Sequence, residues 1–299
     1  MSDASIPLFL NPVAGHGRAG RTCAALDRLL NEHGIAHTVI ESRGAGDLEE
    51  QVREAASGGA GRVIVAGGDG SVHEAVNAIM LSGKPTALGV VPVGTGNDFA
   101  KACTIPLHWE DAAVLLIDRL KSGIAPRSID VGRMNGRYFA NGAGIGFDAK
   151  VTAIARKIKL PIGDMVYLVA ALKGLWDGLT TPDIEVTCES VAISGPVTLV
   201  SISNGQWIGG MFRIAPEAVN DDQELDLVVI SPLSRMRIIR LLRKLMNGTH
   251  MDEPEMSWHR VRACTIVASE PVPSHLDGEL QAPRTKFEVE VMAGALGLL

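Results

Sequence analysis

The stretch Gly67-Gly68-Asp69-Gly70-Ser71 limits what this chain can fold into more than any other. Residues 62–66 before it form a short apolar run that reads as a buried strand. After it, Val72, Ala75, Val76 and Ile79 recur at helical spacing. The glycines therefore fall in a tight turn between a strand's C-terminal end and a helix's N-terminus. Such a turn offers backbone N–H groups and the positive end of a helix dipole, which suit a phosphate. Glycine lets the backbone take left-handed angles and approach a ligand closely. Ser71 is spaced to cap the helix, with Glu74 three residues later completing a capping box. An ordinary strand-to-helix turn is the plainer alternative, but it does not require three glycines, an aspartate and a cap within five residues.

The surrounding pattern repeats this unit. Residues 6–10 read as a strand running into Asn11-Pro12-Val13-Ala14-Gly15-His16-Gly17-Arg18. A helix follows with Cys23, Leu26, Leu29 and Leu30 on one face. Residues 37–40 are a second strand and 47–56 a second helix. Strand 87–91 enters Gly94-Thr95-Gly96-Asn97-Asp98, and a helix spans 109–120. Strand–helix alternation with short connections predicts an open parallel sheet covered on both faces. In such sheets ligands bind beyond the strands' carboxyl ends. Glycine clusters after strands one, three and four therefore suggest one phosphate-rich site. Neither GxxxxGK[ST] nor a dinucleotide GxGxxG is present.

Beyond about Pro126 the pattern changes. Asn135-Gly136 between two extended runs is a strong hairpin signal. Residues 142–149 form another glycine cluster, and 151–179 read as one or two helices interrupted near Leu160-Pro161-Ile162-Gly163. Strands are expected at 184–188, 197–201, 225–230, 265–268 and 287–292, with one helix at 236–246. This predicts a largely antiparallel second domain, a sandwich or squashed barrel. The expected division is 1–125, an α/β nucleotide-binding domain, and 126–299, a β-rich domain whose last residues are free to return to the first.

A chain of 299 residues has ample core for two domains. Its net charge of −6 argues against a general nucleic-acid binder. The four cysteines form no CxxC pair and read as buried hydrophobes in a reducing compartment. There is no signal-peptide pattern, and no apolar run reaches the ~18 residues of a membrane span, so a cytoplasmic protein is expected. His16, His73 and His275 lack zinc-ligand spacing.

Taken together, Asn11-Pro12 with Gly15, Gly67-Gly68-Asp69-Gly70-Ser71 and Gly94-Thr95-Gly96-Asn97-Asp98-Phe99 resemble the diacylglycerol kinase catalytic domain family, which includes soluble bacterial lipid kinases and sphingosine kinases. Later motifs agree: Asp130-Val131-Gly132, Gly144-Ile145-Gly146-Phe147-Asp148-Ala149, Asn204-Gly205, Gly209-Gly210, Pro216-Glu217-Ala218, Leu225-Asp226 and Leu276-Asp277-Gly278-Glu279. The resemblance covers nearly the whole chain. It implies an N-terminal open α/β sheet of the NAD kinase/phosphofructokinase-like type and a C-terminal, mainly antiparallel β-sandwich-like domain. It also implies ATP and Mg²⁺ in a cleft between them, and transfer of the γ-phosphoryl group to the hydroxyl of diacylglycerol or a related lipid.

Residue roles follow from the same resemblance. Asn11, Gly67, Gly68, Asp69, Gly70, Ser71, Gly94, Thr95, Gly96 and Asn97 would line the nucleotide site, with Asp69 holding Mg²⁺ or orienting phosphates. Asp69 as a turn cap and Asp98 as a helix cap are the plainer alternatives. Arg18 or Arg21 would supply positive charge, or simply be solvated. Asp277 would be the general base, with Glu279 and Asp130 in the same acidic network. Without the resemblance, Asp277-Gly278 is a turn followed by a solvent-facing glutamate. Asp222, with the carbonyls of Val219 and Glu224, would bind a structural Mg²⁺, although Gln223 stands where the family has a glycine. Residues 153–179, with Lys157, Lys159, Leu160, Ile162, Met165, Val166, Leu168 and Trp176, would either touch a bilayer surface or be core. The implied partner is a lipid met transiently at a membrane surface, without a transmembrane segment; a homodimer is compatible with the chain. The alternatives are an NAD kinase, which shares the glycine–aspartate motif, and a non-catalytic nucleotide or lipid sensor.

Overall fold

The computed structural model describes residues 5–158, 162–189 and 191–299. The chain forms two compact units, the first comprising residues up to Ile129 with Gly294–Leu299, the second Asp130–Ala293.

The first unit alternates β1 (Ile6–Leu10), α1 (Ala14–Glu32), β2 (His37–Glu41), α2 (Asp47–Ser57), β3 (Arg62–Gly67), α3 (Asp69–Ser82), β4 (Ala87–Pro92), α4 (Asp98–Ala102) and α5 (Trp109–Ser122). Its strands pair in parallel in the order β2-β1-β3-β4. All of β4, and β3 beyond Arg62, is buried, as strands covered on both faces must be. Leu8, Leu10, Ile64, Ala66 and Val91 pack against Leu26 and Leu30 of α1 and Leu116 and Ile117 of α5. Parallel neighbours end on the same side, so the loops after β1, β3 and β4 share one edge.

The capping box expected at Ser71 and Glu74 does not form. The N-cap of α3 is Gly68, and Ser71 already lies in the first turn. Glu74 is turned toward α2 instead. Its Oε1 accepts from the N–H of Gly46 at 3.0 Å and its Oε2 from that of Glu49 at 3.1 Å. It therefore satisfies the N-terminus of the neighbouring helix.

The strand β5 (Arg127–Met134) leads into the second unit. There follow β6 (Arg137–Phe139), β7 (Gly142–Gly146), α6 (Phe147–Ala155), α7 (Met165–Trp176), β8 (Asp183–Cys188), β9 (Val191–Pro196), β10 (Leu199–Ser203), β11 (Leu225–Ile230), α8 (Arg235–Asn247), β12 (Met256–Val261), β13 (Ala263–Leu276) and β14 (Glu279–Leu298). Asn135 and Gly136 take φ of 49° and 84°, the left-handed pair of a tight hairpin between β5 and β6. The glycine cluster at 142–149 is part strand and part helix. Its first half is β7, paired on both sides, and its second half opens α6.

An antiparallel sheet runs β12-β11-β10-β7-β13. Residues 264–268 of β13 pair with β8, whereas Ser274, His275 and Leu276 pair with β7. Register shifts separate these halves, around Pro271 and Pro273. Proline gives no N–H to a ladder, and bulges bend a strand, so one long strand serves two sheet segments. The strand predicted at 265–268 is thus only part of β13. Alternation along β11 separates two cores. Leu225, Leu227 and Val229 face Ile145, Val200, Ile202 and Ile266, while Val228 and Ile230 join Ala170, Leu175, Ile238, Leu241 and Leu242 of the helices. The end of β14 re-enters the first unit, where Leu298 pairs in parallel with Leu88 and the N–H of Leu299 donates to the Leu88 carbonyl at 2.9 Å. Among the described residues no helix is long and apolar enough to cross a membrane.

Candidate active site

In the first unit three loops converge at the carboxyl edge of the sheet. Those after β3 and β4 touch through glycine. A Cβ built on Gly94 would lie 2.4 Å from the Cα of Gly68, and one on Gly68 3.0 Å from the Cα of Gly94. One on Gly67 would strike Ser71 at 2.4 Å. Only side-chain-free positions allow this approach. Asp69 Oδ1 accepts the N–H of Phe99 at 3.1 Å, tying the start of α3 to the first turn of α4. The loop after β1 joins through Asn11, whose Nδ2 donates to Ser71 Oγ at 3.4 Å and whose Oδ1 accepts the N–H of Val13 at 3.2 Å. Asn97, at φ 51°, donates from Nδ2 to the Gly94 carbonyl, and its buried Oδ1 has no partner. Thr95 is exposed at the same edge. Asn11, Gly67 to Ser71 and Gly94 to Asn97 are therefore brought together. Asp98 instead pairs with Lys101 at 3.4 Å within α4. Arg21 is exposed; the side chain of Arg18 lies outside the described residues.

In the second unit Asp277 and Gly278 form the two-residue turn between β13 and β14, at φ 49° and 84°. The backbone is thus the simple turn its dipeptide suggests, but the half-buried side chain is held in place. Asp277 Oδ1 accepts the N–H groups of Asn141 and Gly142, and Oδ2 that of Ala140, each at 2.9 Å. Three donors from the segment leading into β7 hold the carboxylate in one orientation. Glu279 is not in a purely acidic network. Arg156 Nη1 donates to its Oε2 at 2.6 Å and to the Gly278 carbonyl at 3.1 Å.

Two further residues support this turn. His275 is 2% exposed, and its Nδ1 accepts the N–H of Gly278 at 3.2 Å. The ring proton is therefore on Nε2, which donates to Asp148 Oδ2 at 3.0 Å. Gly144 leaves room for the pair, since a Cβ there would lie 2.1 Å from Asp148 Oδ2 and 2.4 Å from His275 Nε2. From sequence, His275 lacks zinc-ligand spacing and Asp148 belongs to a glycine motif without a role of its own; their pairing needs the fold.

Asp130, on β5, is bound to the loop before β11. Its N–H donates to the Asn220 carbonyl at 2.7 Å, and its Oδ2 accepts the N–H of Gln223 at 2.6 Å. Asn204 Nδ2 links it to the Asp277 region, donating to the carbonyls of Asp130 and Ala140 at 2.8 Å each. Gln223 takes φ 68°, so the loop adopts the left-handed turn a glycine would favour despite the side chain. Asp222 Oδ1 accepts the N–H of Glu224 at 3.1 Å. Burial pushes the neighbouring Asp226 carboxyl up to about 6, opposed by Trp258 Nε1 at 2.6 Å and Arg260; Asp222 and Glu217 add to the rise. Among the described residues no three His, Cys, Asp or Glu side chains converge on a metal position. Asp222 is the carboxylate this loop carries, and carboxylate and carbonyl oxygens are the donors a hard cation such as Mg²⁺ takes.

The segment 153–179 divides between buried and exposed apolar side chains. Ala170, Ala171 and Leu175 of α7 are buried, with Val166 and Leu168 packed beside them. Met165, Val169, Leu172 and Trp176 are exposed, and their spacing sets them on one face, with Trp176 82% exposed. Lys157 is exposed, while Lys159, Leu160 and Pro161 lie outside the described residues. Within this unit a cavity of about 70 Å³ is lined by apolar side chains including Val151, Leu199, Phe212 and Leu241, and by Asp148.

Residues 5–134 match the family described as "Diacylglycerol kinase catalytic domain", and residues 142–299 the "YegS C-terminal NAD kinase beta sandwich-like domain". A diacylglycerol kinase of Mycobacterium tuberculosis (strain ATCC 25618 / H37Rv) is 30% identical over 301 residues, covering 98% of this chain and 94% of that protein. A diacylglycerol kinase of Bacillus subtilis (strain 168) is 29% identical over 274 residues, covering 91% and 88%. The crystal structure of a diacylglycerol kinase from Bacillus anthracis str. Sterne has the same fold, with a TM-score of 0.75 and 23% identity over 98% of this chain and 96% of that one. With both halves matched in order along one chain, this protein belongs to the family of YegS-like soluble lipid kinases with a diacylglycerol kinase catalytic domain.

Proposed function

We propose that this chain is an ATP-dependent lipid kinase that transfers the γ-phosphoryl group to the hydroxyl of diacylglycerol or a related lipid. One observation carries the reading. Asp277 sits on a hairpin tip, where a turn asks nothing of its side chain, yet three backbone N–H groups orient its carboxylate.

Bound ATP would supply the phosphoryl group, and Mg²⁺ the counter-charge its oxygens need. Gly67 to Ser71 and Gly94 to Asn97 would cradle the phosphates against the N-terminus of α3. Asp69 would share Mg²⁺ with them, and Asp222 with the carbonyls of Val219 and Glu224 would hold a structural Mg²⁺. Asp277 orients the acceptor hydroxyl and takes its proton. Transfer through a loose transition state demands positioning above all, which anchored Asp277 provides. Glu279 and Arg156 hold the far side of the turn, and Asp130 the Asp222 loop. The exposed apolar face of α7 would meet the bilayer transiently, and the apolar cavity beneath the helices would widen to take part of a lipid tail.

The test is transfer of labelled phosphate from ATP across a lipid panel plus NAD, with wild type and Asp277→Asn. Lipid phosphorylation falling at least ~100-fold in the variant is expected. Asparagine keeps one acceptor oxygen but turns an amide donor toward the backbone N–H groups, so melting temperatures are compared alongside. Phosphorylation of NAD and of no lipid would overturn the reading.

A further inference from the structure

We propose that the outer face of α8 docks this protein onto an anionic bilayer, a step that rests on the lipid-kinase reading and names the surface chemistry it uses. The helix, RMRIIRLLRKLMN, is capped by Ser234, whose Oγ accepts the N–H of Arg237 at 3.3 Å, and ended by Gly248 at φ 67°. Ile238, Leu241, Leu242 and Leu245 bury one side in the apolar core. The five basic residues then divide. Arg237 is bound by Glu253 and Glu255, and Lys244 by Glu253. Arg235, Arg240 and Arg243 are exposed and, among the described residues, have no ionic partner. Helical spacing puts them around Met236, 61% exposed, with Ile239 and Met246 exposed on the same side.

Two physical points favour a bilayer over plain solvation. The first turn of α8 has no acidic residue, so Arg235 faces the positive end of the helix dipole unrelieved, the unfavourable placement for a cation. The fold gains nothing from it that the structure displays. Exposed apolar side chains among unpaired arginines also match an interface whose headgroups are anionic and whose boundary is apolar. A nucleic-acid backbone would complement the charge but leave Met236 and Ile239 without a role. A chain of net charge −6 needs such a local patch to approach an anionic membrane at all.

The experiment is co-sedimentation of the full-length chain, without nucleotide, with pure phosphatidylcholine vesicles and with vesicles of equal parts phosphatidylcholine and phosphatidylglycerol. Wild type is compared with Arg235→Gln/Arg240→Gln/Arg243→Gln, with Met236→Asp/Ile239→Asp, and with Arg28→Gln/Arg53→Gln/Arg62→Gln, which removes the same charge from exposed positions in the first unit. Glutamine is a good helix former, and unchanged melting checks each fold. Expected are binding only to the anionic vesicles, weakening with salt, a loss of roughly 100-fold in the α8 arginine variant, a clear loss in the Met236/Ile239 variant and none in the control. Equal binding to both vesicles, no binding by wild type, or equal losses in both arginine variants would overturn the proposal. Transfer to a short-chain, water-soluble diacylglycerol tests the kinase reading by itself, since that substrate needs no bilayer.

Discussion

His275 touches Gly278 and Asp148 but not the Asp277 carboxylate, so its influence passes through the backbone of the turn. His275→Leu leaves the Gly278 N–H and the Asp148 carboxylate without this partner, a loss worth about 1–3 kcal/mol per buried polar group. The expected outcome is a fall of at least ~10-fold in kcat with the KM for ATP little changed. His275→Asn, which keeps an acceptor near the Nδ1 position, should recover part of it. Steady-state kinetics decide, and a lowered melting temperature with kcat intact would reduce His275 to a packing role. Asp277-Gly278 was legible as a turn because that chemistry is local. The anchoring of Asp277 by residues 135 to 137 positions earlier was not. Nor was the pairing of His275 with Asp148, 127 positions away, which depends on β13 laying His275 opposite Gly144.

At the scale of elements, the spacing of Ser71 and Glu74 is that of a capping box, yet Glu74 serves α2. The motif is local, but the competing donors at Gly46 and Glu49 arrive through helix packing. Glu74→Ala should therefore destabilise the first unit by about 1 kcal/mol. Hydrogen exchange would show faster loss at the amides of Gly46 and Glu49, with α3 itself little affected. Exchange confined to the start of α3 would restore the capping box. The same limit explains β7 and β13. Glycines at 142, 144 and 146 read only as a cluster until β10 and the end of β13 pair with them on either side. Pro271 and Pro273 suggest an end to a strand that instead changes partners there.

At the scale of the whole molecule, the C-terminal segment Gly294–Leu299 completes a unit whose other residues all precede Asp130. It brings two buried leucines, Leu296 and Leu298, and continues the parallel sheet beyond β4. Deleting it should cost the first unit on the order of several kcal/mol, by analogy with 2–5 for each buried leucine removed. Thermal unfolding should report this as an earlier transition with nucleotide binding weakened; an unchanged melting curve would mean the segment is dispensable.

Alternation of strand and helix, the glycine loops after β1, β3 and β4, the Asn135-Gly136 hairpin and the buried runs of β3 and β4 were determined by sequence alone. Each depends on neighbours within one turn or one strand, where backbone angles and side-chain period are set by the residues themselves. The tertiary structure alone decided which donors hold Asp277, which helix Glu74 caps, which arginines of α8 stay unpaired and where the last strand goes. Those outcomes depend on pairing between segments far apart in the chain, and local periodicity carries no record of that.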